Sequence, residues 1–228
     1  MPEVLPNAWV IIPAYRESSV IRSVVTQLRD ICPHIVVVDD GSLDETGKEA
    51  RTGGATVLTH LVNLGQGAAL QTGIDFALWA GAEYIFTFDA DGQHDPESLA
   101  VLAEAMRSTR ASVVLGSRWL GSVEAMPLLR RIMLRLAVIF TRTHSGLGVS
   151  DTHNGLRLFT RQAAMCLRIT QPRMAHASEI LARIHACKLH FVEAPVTVRY
   201  TEYSLGKGQK ASGMFRILLD IFYARWTE

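Results

Sequence analysis

The stretch YIFTFDADGQHDPESL, residues 84–99, places a short apolar run directly before a cluster of acids. Residues 85–88 are apolar or β-branched, as in a buried strand, and Asp89, Asp91 and Asp95 follow within seven positions. In open parallel sheets, ligands bind outside the carboxyl ends of the strands. The stretch therefore predicts a buried strand that delivers carboxylates to a ligand site.

Short apolar runs alternate with amphipathic stretches along the chain, which is typical of a mainly parallel sheet with helices on both faces. The predicted strands cover 9–15, 34–42, 55–61, 84–92, 111–119, 156–160 and 188–200. The predicted helices cover 19–31, 43–52, 65–81, 95–109, 128–142, 178–186 and 213–226. The fourth helix is expected to begin with Asp95 as N-cap and Pro96 at its first position. We predict an α/β fold in a single domain, residues 1–228.

The composition argues against several classes of function. The formal net charge is +1, from 23 basic and 22 acidic residues. Binding to nucleic acid that depends mainly on electrostatic attraction is therefore not expected. Three widely spaced cysteines without a CxxC pair predict neither a zinc site nor a disulfide framework, and a reduced, cytoplasmic setting fits best. The N-terminus does not read as a signal peptide, and no uncharged apolar run approaches the ~18 residues of a membrane span. We expect a protein that does not cross a bilayer, and attachment to a bilayer surface stays open.

A second predicted strand also ends in acids, because Asp39 and Asp40 follow the apolar residues 35–38. Two carboxylates separated by one residue, as Asp89 and Asp91 are, can converge on one Mg²⁺ or Mn²⁺, since these hard cations take oxygen ligands. Such an ion neutralises a diphosphate and stabilises it as a leaving group. Acids also cap turns, so an isolated D-x-D motif is weak. Its coincidence with two acidic strand ends favours the metal interpretation.

Seven motifs follow one another along nearly the whole chain: VIIPAYRE (10–17), VVVDDGSLDET (36–46), NLGQGAALQTG (63–73), FDADGQHDPE (88–97), VLGSRW (114–119), DTHNGLRLF (151–159) and EAPVTVRYTEYSLGKGQK (193–210). Together they resemble the family-two glycosyltransferases, and in particular the dolichol-phosphate mannose synthase-like, polyprenyl-phosphate branch. The resemblance implies the GT-A nucleotide-diphospho-sugar transferase fold, with a nucleotide-sugar part at about 7–120 and an acceptor part at about 121–228. It also implies an inverting, metal-dependent transfer of a sugar from a UDP- or GDP-sugar to a polyprenyl phosphate.

The same resemblance implies roles for individual residues on the donor side. It places Pro13, Ala14, Tyr15 and Glu17 along the nucleotide pocket. Asp40 would accept hydrogen bonds from the base. Asp89 and Asp91 would hold the diphosphate and the metal, with Gln93 as a third ligand, and Arg118 would contact phosphate. Gln66 stands on the donor side where many members carry Lys or Arg, and His94, beside the acids, is expected to help shape the site.

Two further acids are open in role. Asp151 is either a general base that activates an acceptor hydroxyl or a residue that only orients Arg157, and Glu179 is a similar candidate. If the acceptor is a lipid phosphate, its oxygen is already anionic near neutral pH and no strong base is required. Arg131, Arg199 and Lys207 are expected to hold the acceptor phosphate.

A basic stripe in the helix 128–142, in apolar company, also describes a helix that lies at a membrane surface. With the apolar tail 213–226, this helix predicts peripheral contact with the cytoplasmic face of a membrane, and a membrane-protein partner is compatible with that placement. The usual alternative is that the basic stripe is the solvent-exposed face of a helix whose apolar face packs against the protein core.

The first of three rival functions is a Rossmann-type oxidoreductase that binds a dinucleotide. The glycines of GQGAALQTG do not match the G-x-G-x-x-G spacing of a dinucleotide-binding loop, because Leu70 occupies the third glycine position. Close packing of a helix of small residues on the sheet is the favoured interpretation. The remaining rivals are transfer to a hydroxyl of a glycan or small molecule, and a non-catalytic sugar-nucleotide-binding subunit.

Overall fold

The computed structural model describes residues 4–124, 126, 128, 131, 132, 134, 135, 138, 148–152, 154–173 and 175–200, and its centre is one seven-stranded sheet. The strands are β1 (Ala8–Ala14), β2 (His34–Asp39), β3 (Thr56–Thr59), β4 (Tyr84–Thr87), β5 (Val113–Glu124), β6 (Arg157–Thr160) and β7 (Phe191–Arg199). Their order across the sheet is β3-β2-β1-β4-β6-β5-β7. Each of the seven predicted strands is therefore present, with boundaries that differ by a few residues.

Strand direction confirms the mainly parallel sheet. β1 pairs in parallel with β2 and β4, β2 with β3, and β5 with β7. β6 runs antiparallel to both of its neighbours, β4 and β5. The beginning of β6 therefore lies beside the end of β4, because Arg157 pairs with Thr87.

Helices cover both faces of the sheet, as predicted. They are α1 (Ile21–Arg29), α2 (Thr46–Gly53), α3 (Gln66–Trp79), α4 (Ser98–Thr109), α5 (Arg161–Cys166) and α6 (His176–Ala186). One apolar layer lies between the sheet and α1, α2 and α4, and a second lies between the sheet and α3, α5 and α6. Apolar spacing explains these faces: α1 buries Ile21, Val24, Val25 and Leu28, which recur at helical intervals.

The glycines of α3 let the helix pack close to the sheet. A Cβ added at Gly73 would overlap Ile11 Cγ2 and would lie 3.2 Å from Val38 Cγ2. Both contacts are buried apolar side chains of β1 and β2. The close-packing interpretation of this glycine-containing segment is therefore confirmed at Gly73.

The start of α4, the length of β5 and one short helix depart from the predictions. The prediction of Asp95 as N-cap is wrong, because α4 begins at Ser98 after Glu97, and Asp95 Oδ1 accepts the Glu97 N–H in the turn before it. β5 continues to Glu124 through an irregular register between Ser117 and Ser122. The short helix α5, which Thr160 caps by accepting the Ala163 N–H, was not predicted because six residues show no clear helical period.

The two segments predicted to contact a membrane lie largely outside the described residues. Residues 128, 131, 132, 134, 135 and 138 are helical, in agreement with the helix predicted at 128–142. The predicted helix 213–226 lies outside the described residues. None of the helices described has the length and apolar character of a membrane span.

The tight contact of α3 with the sheet predicts the effect of a small substitution. Gly73→Ala should lower the free energy of unfolding by about 1–3 kcal/mol, because an overpacked buried contact forces neighbouring atoms to move. Gly148→Ala is the matched control, since a Cβ there meets nothing within 4 Å among the described residues. Urea unfolding followed by circular dichroism measures both. Stability of Gly73→Ala equal to that of the control would contradict the packing argument.

Candidate active site

Asp89 lies two residues beyond β4, at the carboxyl edge of the sheet, and two side chains contact its carboxylate. Gln66, the first residue of α3, donates from Nε2 to Asp89 Oδ1 at 3.2 Å. His94 Nε2 lies 3.2 Å from Asp89 Oδ2, and the buried His94 ring packs edge-on against Phe88. The structure thus brings together Gln66, His94 and the first acid of the D-x-D motif.

The pKa values of Asp89 and Asp91 shift in opposite directions because the surroundings of the two carboxyls differ. Burial alone would raise the pKa of Asp89, but the hydrogen bond and charge of His94, with the Arg157 cation, outweigh burial and lower that pKa. Burial and the charge of Asp89 raise the pKa of Asp91 to about 6, and the Glu17 charge adds to the effect. Glu17, predicted for the nucleotide pocket, is therefore near enough to Asp91 for its charge to act on that carboxyl. One ionised carboxylate beside another that resists ionisation is an arrangement that a cation stabilises.

The donor set fits a divalent cation in part. Carboxylate oxygens suit Mg²⁺ and Mn²⁺. Among the described residues, no three His, Cys, Asp or Glu side chains are grouped as a complete metal site. Gln93, the predicted third ligand, donates its backbone N–H to Asp91 Oδ1 at 3.1 Å, and the role of its side chain stays a prediction. Oxygen ligands from a substrate would be needed to complete the coordination of an ion at Asp89 and Asp91.

The antiparallel strand β6 brings Arg157 into the site. Arg157 pairs with Thr87 in an antiparallel register. Two residues later on β4 and two residues earlier on β6, the same register places Asp89 opposite Gly155. Thr87 Oγ1 donates to the Gly155 carbonyl at 2.6 Å, and a Cβ at Gly155 would overlap the Asp89 carboxylate. Arg157 is consequently a diagonal neighbour of Asp89 on one face of the sheet. Sequence reasoning gave Arg157 no role of its own, because the apolar pattern of LRLFT does not reveal strand direction.

Buried nitrogen atoms without partners concentrate around these acids. In the part of the chain described, the buried side-chain nitrogen or oxygen atoms that lack a hydrogen-bond partner are His94 Nδ1, Asn154 Nδ2 and Arg157 Nη1. Burial lowers the pKa of Arg157, while Asp89 and Asp151 act in the opposite direction. Buried polar atoms are nearly always hydrogen-bonded, so this concentration marks a place where ligand or water contacts are expected.

Arg118 and Asp151 form a buried ion pair. Arg118 Nε donates to Asp151 Oδ2 at 2.6 Å, its backbone N–H reaches the same oxygen, and Nη1 donates to the Tyr200 hydroxyl at 2.9 Å. Burial alone would lower the pKa of Arg118, but Asp151 and Tyr200 raise it. Asp151 therefore binds Arg118 directly, and its predicted alternatives, a general base or a residue that orients Arg157, stay predictions.

Glu179 has several hydrogen-bond donors around its carboxylate. It lies on α6 and accepts from the backbone N–H groups of Thr170 and Gln171, from Thr170 Oγ1 and from Arg183 Nε. Burial alone would raise the pKa of Glu179, but these hydrogen bonds lower it. A lowered pKa makes a carboxylate a weaker base, so the geometry favours a role in holding the loop before α6.

The residues predicted to line the nucleotide pocket lie at the ends of β1 and β2. Pro13 and Ala14 are buried at the end of β1, and Tyr15 is exposed beside them. Asp40 follows β2 and is buried. Its carboxylate accepts the backbone N–H groups of Leu64 and Gly65 and contacts His60. Its predicted contact with a base stays a prediction.

The predicted acceptor-side cations are only partly described. Arg199, at the end of β7, pairs with Asp95 Oδ2 at 3.0 Å and Glu124 Oε2 at 3.4 Å, and it remains half exposed. Its backbone N–H donates to the Gln93 carbonyl, so β7 is hydrogen-bonded to the loop that carries Asp89 and Asp91. Arg131 is helical and exposed. Lys207 lies outside the described residues.

A seven-stranded, mainly parallel sheet whose carboxyl edge carries a D-x-D pair beside a candidate nucleotide pocket defines a class of protein. That class is the glycosyltransferases with the GT-A fold, which use nucleotide-diphospho-sugars. The chain belongs to glycosyl transferase family 2, whose family model matches residues 9–168. The predicted family and enzyme class are therefore confirmed.

Two relatives cover almost the whole chain. The chain is 32% identical over 231 residues to the UDP-N-acetylglucosamine–dolichyl-phosphate N-acetylglucosaminyltransferase of Methanococcus voltae, with 92% of each chain covered. It is 30% identical over 218 residues to the polyprenol monophosphomannose synthase of Mycolicibacterium smegmatis, with 91% of this chain and 82% of that protein covered.

A solved structure shares the fold. Glucosyl-3-phosphoglycerate synthase from Mycobacterium tuberculosis, in complex with Mn²⁺, UDP and glucosyl-3-phosphoglycerate, matches with a TM-score of 0.66 at 17% identity, over 88% of this chain and 75% of that chain. That synthase has also been solved with Mg²⁺ and UDP. At this identity the match confirms the GT-A fold alone.

The raised pKa of Asp91 predicts a pH-dependent affinity for Mn²⁺. Below about pH 6 the carboxyl is protonated and a proton competes with the cation, so affinity should fall by about tenfold per pH unit. Above about pH 7 affinity should be constant. Electron paramagnetic resonance of free Mn²⁺ between pH 4.5 and 8 measures this. Asp91→Asn should flatten the profile, whereas an identical profile in this variant would assign the titration elsewhere.

The Arg118–Asp151 pair predicts a stability effect that separates it from catalysis. Asp151→Asn leaves the Arg118 cation buried without a counter-charge and should lower the free energy of unfolding by about 3–5 kcal/mol. Arg118→Met combined with Asp151→Leu removes both charges and should recover part of that loss. Unchanged stability in Asp151→Asn, together with lost turnover, would favour the general-base interpretation.

Proposed function

We propose that this glycosyltransferase moves a sugar from a UDP- or GDP-sugar to a polyprenyl phosphate, with inversion and with the help of Mg²⁺ or Mn²⁺. The observation that carries the proposal is the Asp89–Asp91 pair at the carboxyl edge of the sheet. Burial and the nearby charge of Asp89 raise the pKa of Asp91 to about 6, and a bound cation would stabilise the two negative charges. The names of the relatives, which act on dolichyl or polyprenol phosphates, support the acceptor class.

On the donor side, the ends of β1 and β2 form the proposed nucleotide pocket. Pro13 and Ala14 supply a buried wall, and Tyr15 supplies an exposed ring beside them. Asp40 would accept a hydrogen bond from the base in addition to those it already accepts from its own chain. Gln66 and Arg118 would contact the diphosphate, Gln66 from the start of α3 and Arg118 from β5.

Asp89 and Asp91, with Gln93 as a proposed third ligand, would hold the divalent cation. When bound, such an ion neutralises the charge that develops on the departing nucleoside diphosphate. His94 and Gln66 fix the orientation of the Asp89 carboxylate, as the hydrogen bonds at 3.2 Å show. The residues thus supply a preorganised group of oxygen atoms at the point where the leaving group separates.

The acceptor supplies its own nucleophile. An ionised phosphate oxygen forms a bond to the anomeric carbon as the bond from that carbon to the donor diphosphate breaks, and attack from the opposite side inverts the configuration. No proton has to be removed, so no general base is required. The ties of Asp151 to Arg118 and of Glu179 to the loop at 170–171 are compatible with such a reaction.

The acceptor phosphate would be held by Arg131, Arg199 and Lys207. The exposed residues Leu128, Arg131 and Ile132 lie on the helical stretch proposed to contact the membrane surface, and the same proposal includes residues 213–226. Peripheral association would bring the edge of the sheet close to the headgroup of a membrane-bound acceptor.

Transfer assays test the proposal directly. The purified protein, Mn²⁺, a short-chain polyprenyl phosphate and either UDP-N-acetylglucosamine or a GDP-sugar should yield a glycolipid phosphate. Asp91→Asn should reduce turnover by at least about a hundredfold, because several kcal/mol of charge stabilisation are lost. Asp75→Asn, at an exposed site on α3, is the matched control and should leave turnover unchanged.

The assay also distinguishes the acceptor class. Arg131→Ala should raise the KM for the polyprenyl phosphate and leave the donor affinity unchanged, with Arg168→Ala as the exposed control. Wild-type transfer to a hydroxyl and to no lipid phosphate would overturn the acceptor assignment. Full activity of wild type in excess chelator would overturn the metal assignment.

A further inference from the structure

The segment 60–66, between β3 and α3, folds around the Asp40 carboxylate. Asp40 Oδ1 accepts the Leu64 N–H at 2.9 Å, and Oδ2 accepts the Gly65 N–H at 2.7 Å. The Asn63 side chain also donates to the Asp40 carbonyl at 3.3 Å. A carboxylate at the end of β2 therefore holds the approach to α3, more than twenty residues later in the chain.

His60 connects this carboxylate to α3. Its Nδ1 lies 2.7 Å from Asp40 Oδ1, and its Nε2 lies 3.0 Å from Thr72 Oγ1. An ionised carboxylate only accepts hydrogen bonds, so the contact with Asp40 requires a proton on His60 Nδ1. In the neutral ring, Nε2 is then the acceptor for the Thr72 hydroxyl. The side chain is 11% exposed, so the ring is held on both sides in a mostly buried position.

The other end of the segment reaches the acid pair. Gly65 is the N-cap of α3, with φ 101°, a conformation that glycine adopts readily and other residues rarely do. Gln66 follows at once and donates to Asp89 Oδ1 at 3.2 Å. Hydrogen bonds therefore link Thr72 to His60, His60 to Asp40 and Asp40 to Gly65. The next residue, Gln66, completes the path to Asp89.

We propose that His60 is a positioning residue, which fixes the Asp40 carboxylate and thereby the segment that brings Gln66 to Asp89. His60 acts through these residues and needs no contact with the reacting atoms. Its expected effect on donor binding rests on the proposed function, because that effect requires Asp89 and Asp91 to bind the donor diphosphate with a cation. The hydrogen bonds of the segment itself do not depend on that function.

Two substitutions separate the contacts of the ring. His60→Leu removes the donor to Asp40 while it keeps an apolar side chain of similar bulk. His60→Asn retains an N–H donor near the position of Nδ1 and loses the contact with Thr72. Thr72→Val removes only the hydroxyl at the other side of the ring. His185→Leu, at an exposed position on α6, is the matched control.

Hydrogen exchange tests the positioning role without a ligand. His60→Leu should speed exchange of the Leu64 and Gly65 amides by about ten- to a hundredfold, the range expected for loss of a hydrogen bond to a charged group. His60→Asn should restore most of the protection, and Thr72→Val should cause a smaller loss. Unchanged exchange in His60→Leu, or no rescue by Asn, would overturn the proposal. Thr72→Val and His60→Asn keep the test decisive if His60→Leu does not fold.

Calorimetry with Mn²⁺ and UDP or GDP tests the consequence for the site. His60→Leu and Gln66→Ala should each weaken binding of whichever nucleotide the wild type binds, and the double variant should be no weaker than the more affected single variant. Independent, multiplicative losses would show that His60 does not act through Gln66 and would overturn that step. If the wild type binds neither nucleotide, the proposed function fails, whereas the exchange experiment still decides whether His60 holds the segment.

Discussion

The repulsion between two carboxylates, Asp89 and Asp91, at the end of a buried strand is the constraint around which the site is organised. Residues 85–88 are fully or almost fully buried, so the chain cannot move these acids outward without withdrawing an apolar strand from the core. The charges therefore have to be stabilised where they are. Cations, hydrogen-bond donors and a bound ion are the means available to a protein.

Three neighbours from different parts of the chain stabilise the first of these acids. Gln66 donates from the start of α3, His94 contacts the opposite oxygen, and Arg157 lies diagonally across the sheet on β6. Burial alone would raise the pKa of Asp89, but His94 and Arg157 outweigh it and lower that pKa. Within the part of the chain described, the Asp91 carboxylate accepts one hydrogen bond, from the Gln93 N–H. The second acid is thus the one left for a cation to stabilise.

The sequence was sufficient for the strands and for the acids at their ends, because apolar runs and turn residues are local signals. It was not sufficient for contacts between distant segments. Arg118 and Asp151 are 33 residues apart, and nothing local to either indicates that they pair. The reversed direction of β6, which delivers Arg157, is likewise invisible in its apolar pattern. His60 has no neighbour in sequence that would suggest a contact with Asp40, 20 residues earlier.

The candidate acids Asp91, Asp151 and Glu179 differ in how many hydrogen bonds their carboxylates accept. The Glu179 carboxylate is held by two backbone N–H groups, a hydroxyl and a guanidinium, and Asp151 by a buried guanidinium. These donors fix the positions of both carboxylates, and those around Glu179 also lower its pKa against the effect of burial, so both acids suit a role in holding the chain. An acid that binds a cation needs oxygen lone pairs free of such donors, and Asp91 meets that condition. An acceptor that is already ionised needs a cation site for the leaving group and no general base. Asp91, with lone pairs available, suits the cation site, and Asp151 and Glu179, held by hydrogen bonds, are not needed as bases. The two observations therefore support the same chemistry.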